Sequence, residues 1–308
     1  MSRIQVALIG IGKIARDQHV PALVRSDAFE LTAAVTRHTP PQGVPAFATI
    51  AEMKQALPAV SAASLCTPPR GRLEIIREAF RHGLDLMIEK PPAATIGEAR
   101  QIVELAAEAR RVLFVSWHAR AAAAVEPARA WLARRTIRRV HVCWKEDVRV
   151  WHPAQGWIWE PGIGVFDPGV NALSILTRIL PGPLVVRDAT LEFPVNKAAP
   201  MAAALRLSFP DEVPVSVDLD FDQQGPPTWD IDVDTDQGRL KLSMGGARMT
   251  VDGRSAEVDA EPEYLRLYKR FARLLERRES DTDLSPFELV ADCFLLARRR
   301  TGPAFEDF

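Results

Sequence analysis

A glycine-rich turn, a lysine placed before a proline, an aspartate and an asparagine four residues apart, and tryptophans crowded among carboxylates and a histidine are the features that could do chemistry. Gly10-Ile11-Gly12-Lys13-Ile14-Ala15 fits G-x-G-x-x-A between a short apolar run and a helical segment. The first glycine permits a tight turn, the second lets backbone approach a pyrophosphate, and Ala15 lets the helix pack closely on the strand. The helix N-terminus there favours negative charge. A GxxxxGK[ST] phosphate loop is excluded, because aligning its GK on Gly12-Lys13 puts Ala7 at the first glycine and Ile14 at the hydroxyl position. Roughly 20 residues beyond the glycines, where an NAD site usually carries an acid, stand Thr36-Arg37-His38. A guanidinium beside a hydroxyl and an imidazole pairs with a 2′-phosphate, so NADP is the expected cofactor with NAD tolerated. A solvated turn with an incidental arginine is the other reading.

Pro91 biases Lys90 away from helical geometry and holds it at the C-terminal end of a strand, where ligands collect in doubly wound sheets. Partial desolvation and a neighbouring nicotinamide charge would ease the loss of its proton, suiting it to proton transfer; an ion pair with Glu89 is the ordinary alternative. Asp167 and Asn171 share one helix face, with Asp167 near the positive end. N-capping is the simple role for that aspartate. Four of the seven tryptophans, Trp144, Trp151, Trp157 and Trp159, fall beside Glu146, Asp147 and His152. Aromatic faces pack on the C–H side of a pyranose while carboxylates and imidazoles bond its hydroxyls. Trp144, in an alternating strand, fits a core position equally well. His19 and His152 are the less committed histidines.

The elements that must position these groups fall into two textures. From Ile4 to Trp117, apolar runs at Gln5–Gly10, Glu30–Thr36, Ala59–Cys66, Asp85–Glu89 and Val112–Trp117 alternate with helical periods such as Arg70–His82 and Thr95–Arg110. That is the pattern of βαβ units around a parallel sheet. After Trp117 an Ala-rich helix to Leu132, an extended Ile137–Val148, a Trp- and Gly-rich loop and a helix at Asp167–Leu180 precede a run of strands from Leu184 to Val251. An open, mainly antiparallel sheet follows, closed by helices at Glu261–Arg278 and Pro286–Arg299. The fold class is α/β, with domains expected over residues 1–120 and 121–308.

A length of 308 residues with 47% hydrophobic content supports two cores. Lys plus Arg total 39 against 40 Asp plus Glu, a net charge of −1, and the arginine runs at 138–139 and 298–300 are short. Nucleic acid is therefore not an expected partner. No apolar run reaches membrane-spanning length and no secretory leader is evident, so a cytoplasmic location is expected. Cys66, Cys143 and Cys293 form no CxxC pair, and no His, Asp and Cys cluster has metal-ligand spacing, so no metal is expected.

Leu65-Cys66-Thr67-Pro68-Pro69 and Glu89-Lys90-Pro91-Pro92 resemble the Gfo/Idh/MocA family of NAD(P)-dependent oxidoreductases, over nearly the whole chain. Gly12 to His19, Trp144 to Val148, Trp157-Ile158-Trp159-Glu160-Pro161 and Gly164 to Asn171 resemble its bacterial aldose 1-dehydrogenases, those acting on L-arabinose and D-galactose among them. The resemblance implies an N-terminal Rossmann domain, a C-terminal α/β domain, and oxidation of a sugar at its anomeric carbon to a lactone. It implies cofactor contacts from Gly10, Gly12, Lys13, Ile14, Thr36, Arg37, His38, Cys66, Thr67, Pro68, Glu89 and Lys90. Sugar contacts are implied for His118, Glu146, Trp151, Trp159, Asn171 and Trp229. Where the wider family often has histidine this chain has Asn171, so Lys90 and Asp167 are assigned jointly to removing the C1 hydroxyl proton, with Asn171 orienting that hydroxyl. A same-fold enzyme for another polyol or carbonyl compound and a non-catalytic nucleotide-sensing regulator are the rival readings. An uncovered face of the second sheet makes a homodimer the expected assembly.

Overall fold

The structure is a computed structural model that describes residues 3–306, so the first two residues of the first expected domain and the last two of the second lie outside the described residues. The chain divides into two compact units: the stretch up to His118 with Glu261–Leu284, and Ala119–Ala260 with the segment from Ser285 onward.

Among the described residues the first unit is built on six strands, β1 (Ile4–Ile9), β2 (Phe29–Val35), β3 (Ala46–Phe47), β4 (Ala62–Leu65), β5 (Asp85–Glu89) and β6 (Leu113–Ser116). All pair parallel in the order β3-β2-β1-β4-β5-β6, a Rossmann sheet whose strand order reverses at β1. β4, β5 and β6 are buried at every position, as a sheet covered on both faces requires. Beyond β1 comes a π-helical turn, Ala15–His19, that runs into α1 (Val20–Val24) and buries His19. α2 (Ile50–Ala56) and α4 (Ile96–Glu108) are capped by Thr49 and Thr95, whose hydroxyls accept the Glu52 and Glu98 N–H groups, while those glutamates accept the Ala48 and Ala94 N–H groups; α3 (Arg72–Arg81) lies between them in the chain.

The second unit carries α5 (Val125–Leu132), α6 (Val148–Trp151), α7 (Phe166–Ile179) and, among the described residues, nine strands. These are β7 (Ile137–Lys145), β8 (Val185–Pro194), β9 (Ala202–Phe209), β10 (Val213–Asp220), β11 (Thr228–Thr235), β12 (Gly238–Ser243), β13 (Arg248–Val251), β14 (Arg254–Ser255) and β15 (Ala297–Gly302). Their order is β14-β13-β12-β11-β7-β10-β9-β8-β15, antiparallel except at β7/β10 and β8/β15. Strict alternation buries Val215, Val217 and Leu219 on one face, while the other bears charge ladders such as Asp230–Lys241 and Asp234–Arg139. α7 presses onto the buried face at Gly169, where any side chain would meet Leu219 Cδ1 at 2.5 Å.

Two expectations change in the structure. α8 (Glu263–Arg277) belongs to the first unit rather than to the second: Phe271 stacks on Phe29 at 5.5 Å and Arg278 pairs with Asp85. α9 (Ser285–Leu296) stops three residues before Arg299, and the chain continues as β15 beside β8. Asp188 of β8 holds Arg298 at 2.8 Å and the Phe193 ring lies 3.8 Å from the Arg299 guanidinium, so the arginines are satisfied as a strand. No helix among the described residues is long and apolar enough to cross a membrane.

Candidate functional site

In the first unit the glycine turn has the form a dinucleotide needs. Gly10 has φ +85°, and a Cβ there would lie 2.8 Å from Thr67 Cγ2, so no other residue fits. A Cβ on Gly12 would meet nothing within 4 Å, which leaves that peptide open to a pyrophosphate. Ala15 is fully buried, and the buried Thr67 Oγ1 beside Gly10 has no partner among the described residues. The residues present therefore fit a bound dinucleotide. Lys13 is exposed and paired with Asp17; Ile14 is half-buried at the start of the helix. Cys66 is buried, Thr67 half-buried and Pro68 exposed after β4.

At the end of β2, Thr36 Oγ1 accepts the His38 backbone N–H at 2.9 Å, and Arg37 and His38 point into solvent. Arg16, a cation to which the sequence reading gave no role, donates to the Thr39 carbonyl at 2.7 Å and brings a second guanidinium to this turn.

Lys90 follows β5 directly, half-buried, with a cis peptide to Pro91. Behind it lies a hydrogen-bonded frame that the sequence did not reveal. Glu89 Oε1 receives Tyr264 Oη at 3.0 Å and Ser116 Oγ at 3.2 Å, and lies 3.0 Å from His19 Nε2. His19 Nδ1 meets Tyr268 Oη at 2.8 Å, and that hydroxyl meets Ser64 Oγ at 2.9 Å. Burial alone would push Glu89 up; the hydrogen bond and charge of His19, with His118 and Tyr264, instead bring it down to about 2. Burial alone would likewise disfavour the imidazolium of His19, but Cys66, Tyr268 and Glu89 outweigh it and hold His19 well above the ordinary histidine value. Burial, then the charge of Glu89, keeps Tyr264 protonated as a donor. His118, beyond β6, is partly exposed, 2.9 Å from Glu263 Oε2 through Nδ1 and stacked on Tyr264 at 5.8 Å.

In the second unit, Glu146 follows β7 and is 4% exposed. Its Oε2 accepts Trp229 Nε1–H at 2.8 Å. His152 Nε2 stands 3.7 Å from Glu146 Oε1 and 3.7 Å from Asp167 Oδ2, and its buried Nδ1 has no partner among the described residues. Trp151, 43% exposed, meets Trp229 edge-on at 4.9 Å. Asp167 and Asn171 are the half-buried positions on an otherwise buried first half of α7, as the four-residue spacing predicts. A carboxylate aimed by an indole, an imidazole between two carboxylates, and an exposed aromatic face are groups that can hydrogen-bond hydroxyls and pack against a C–H face.

Four positions differ from expectation. Asp167 does not cap α7: it sits inside the first turn, with Val165 at the cap and no side-chain cap bond. Asp147, paired with Glu146 as a hydroxyl binder, instead caps α6 and holds Arg149 at 2.7 Å. Trp159 is 8% exposed and packs on Phe221 and Phe305, one layer behind His152. His152 itself, which carried little weight in the sequence, joins Glu146 and Asp167; its presence six residues after a carboxylate in a tryptophan-rich stretch was the available signal. Trp144 is buried as a core residue. No group of three or more His, Cys, Asp or Glu among the described residues could hold a metal.

Residues 4–117 match the oxidoreductase family with an NAD-binding Rossmann fold. The whole chain is 42% identical to the galactose 1-dehydrogenase of Pseudomonas fluorescens over 308 residues, covering 100% of each. It superposes on the crystal structure of the D-galactose-1-dehydrogenase protein from Rhizobium etli with a TM-score of 0.95 and 46% identity, covering 99% of both chains. The 3-ketoreductase KijD10 of Actinomadura kijaniata, solved with TDP-benzene and NADP, shares the fold with a TM-score of 0.81 at 18% identity, over 98% of this chain and 100% of that one.

Proposed function

The chain belongs to the Gfo/Idh/MocA oxidoreductase family, and on that premise we propose that it is an NAD(P)-dependent aldose 1-dehydrogenase. Its substrates are D-galactose, L-arabinose or both, its product the aldonolactone, and its preferred cofactor NADP with NAD accepted. The observation that carries the sugar assignment is the buried Glu146 carboxylate, aimed by Trp229 and flanked by His152 and Trp151. Full-length similarity to galactose 1-dehydrogenases supports it.

The dinucleotide, when bound at the Gly10–Gly12 turn, supplies the acceptor for the C1 hydride. The remaining work belongs to the chain. Lys90 and Asp167 take the C1 hydroxyl proton jointly, and Asn171 orients that hydroxyl. Glu146 and His118 bond ring hydroxyls, with Trp151 and Trp229 on the C–H face; Trp159 supports the layer behind them. D-Galactose and L-arabinose share C2 to C4 and differ at the C5 substituent, so room beside that carbon separates them. Exposed Arg37 and His38 with the Thr36 hydroxyl engage the 2′-phosphate, and Arg16 steadies their turn. Three free cysteines suit a reducing cytoplasm, and the charge-laddered sheet face is our choice for a homodimer contact.

A matrix of aldoses and cyclitols against NADP and NAD tests this reading. Lactone formation from D-galactose or L-arabinose is the expected result; turnover of a cyclitol alone would overturn the substrate, and tight NADP binding with no reduction under any condition would favour a sensor. Arg37→Ala should lower kcat/KM for NADP about 10-fold, the value of one charge-assisted contact, and leave NAD unchanged.

A further inference from the structure

Arg72 opens α3 after Gly71, and only 1% of it is exposed. Its Nη1 donates to the carbonyls of Glu89 and Pro91, and its Nη2 donates to the carbonyl of Thr67. The first two flank Lys90. The third belongs to the residue that packs against Gly10. One planar fork therefore ties the end of β5 to the turn after β4, and pins the Lys90 backbone from both sides.

This placement is costly if packing alone is at stake. A buried cation needs compensation, and the first turn of a helix is the wrong end for positive charge. The hydrogen-bond partners of Arg72 among the described residues are neutral carbonyls, and its Nε has none. Burial lowers its hold on the proton to about 10, with the charges of Glu89, Cys66 and Glu98 opposing that shift without overcoming it. An apolar side chain of similar volume would avoid these costs. What only the guanidinium provides is a fixed geometry between two turns that carry different parts of the chemistry. The carboxylate of Glu89 is already held by His19, Tyr264 and Ser116, so the peptide bonds around Lys90 are what remain for Arg72 to fix.

We propose that Arg72 is a positioning residue, setting the Lys90 amine and the dinucleotide turn in one frame. The inference rests on the reading of Lys90 as a proton-transfer group. Misplacing a reacting group by about 1 Å costs on the order of 100-fold, and an effect of that size is expected in turnover rather than in sugar affinity.

Arg72→Met keeps the volume without donors; Arg72→Lys keeps the charge without the fork. Both should melt cooperatively. The kcat should fall about 100-fold in the methionine variant and about 10-fold in the lysine variant, with sugar KM within roughly threefold. NADP titrated without sugar should bind more weakly. Amide exchange should quicken at Cys66, Thr67, Ile88, Glu89, Lys90 and Ala93 and stay unchanged elsewhere. In a cycle with Lys90→Met, the double variant Lys90→Met/Arg72→Lys should lose no more kcat than Lys90→Met alone.

Wild-type kcat in both variants, exchange that rises uniformly, a fully additive double variant, or failure of both variants to fold would each overturn the inference and leave Arg72 a stability residue. The two readings separate cleanly. If Lys90→Met turns over normally, the role of Lys90 falls while NADP binding and amide exchange still judge Arg72; if Lys90→Met is inactive and both Arg72 variants are normal, only the present inference falls.

Discussion

The frame beneath Lys90 and the cluster around Glu146 are both buried and polar, yet they are finished to different degrees. In the first unit His19, Ser64, Glu89, Ser116, Tyr264 and Tyr268 are each at most 5% exposed, and their contacts close at 2.8 to 3.2 Å. In the second, Trp229 Nε1 to Glu146 closes at 2.8 Å, but His152 stands 3.7 Å from both carboxylates and its Nδ1 is buried without a partner among the described residues. A saturated network has a single low-energy arrangement and makes a rigid support. A network with capacity left over can exchange its own contacts for those of a ligand's hydroxyls. The difference separates positioning from recognition, and it predicts that substitutions in the two regions will move different kinetic constants.

The largest effects test whether the frame carries a working group. Lys90→Met and Asp167→Asn should each lower kcat by roughly 10²- to 10⁴-fold, the range of a general acid–base contribution, while NADP affinity stays near wild type. Steady-state kinetics beside a cofactor titration measures both. Normal turnover in either variant removes that residue from the chemistry.

Next comes the ionic character of the frame itself. Glu89 is depressed from 4.5 to about 2, so the unfolded chain binds the extra proton between these values; the stabilisation is complete above 4.5 and is lost as pH falls through about 2. His19 is raised from 6.5, so its contribution is complete below 6.5 and is lost as pH rises through the higher folded value. Both contributions are full between pH 4.5 and 6.5. Glu89→Gln should therefore destabilise by about 3–5 kcal/mol within that window, the cost of breaking a buried pair. The penalty should shrink on either side, as urea unfolding at a series of pH values will report. A penalty that is constant with pH would mean the two groups are not an ion pair.

Local features were legible in the sequence and long-range ones were not. The Gly10 turn needs only its own φ and a close neighbour, and Asp167 with Asn171 needs only helical spacing. The parallel sheet follows from apolar runs long enough to be buried on both faces. The frame, by contrast, joins His19 to Tyr268 across 249 residues, and nothing in either segment announces the other. The same holds for α8, which packs with the first unit although it follows the second sheet in sequence. Neighbouring residues of one chemical type were equally opaque. Glu146 and Asp147 are adjacent carboxylates, but where the chain leaves β7 the first turns inward and the second caps α6. Trp151 and Trp159 share one stretch, and packing on Phe221 and Phe305 buries the second while the first stays exposed.

Trp229→Phe keeps an aromatic face and deletes the N–H that holds Glu146 Oε2. A hydrogen bond to a charged group contributes about 1.5–3 kcal/mol, so sugar KM should rise at least about 10-fold as the carboxylate loses its aim. The kcat should stay within roughly threefold, because the groups assigned to proton removal are untouched. Trp159→Phe, one layer back, should lower the melting temperature by a few degrees, in keeping with about 1 kcal/mol of lost packing, and leave KM unchanged. If Trp159→Phe raises KM as much as Trp229→Phe does, the buried ring contributes to recognition and the division between binding face and support in the second unit must be redrawn.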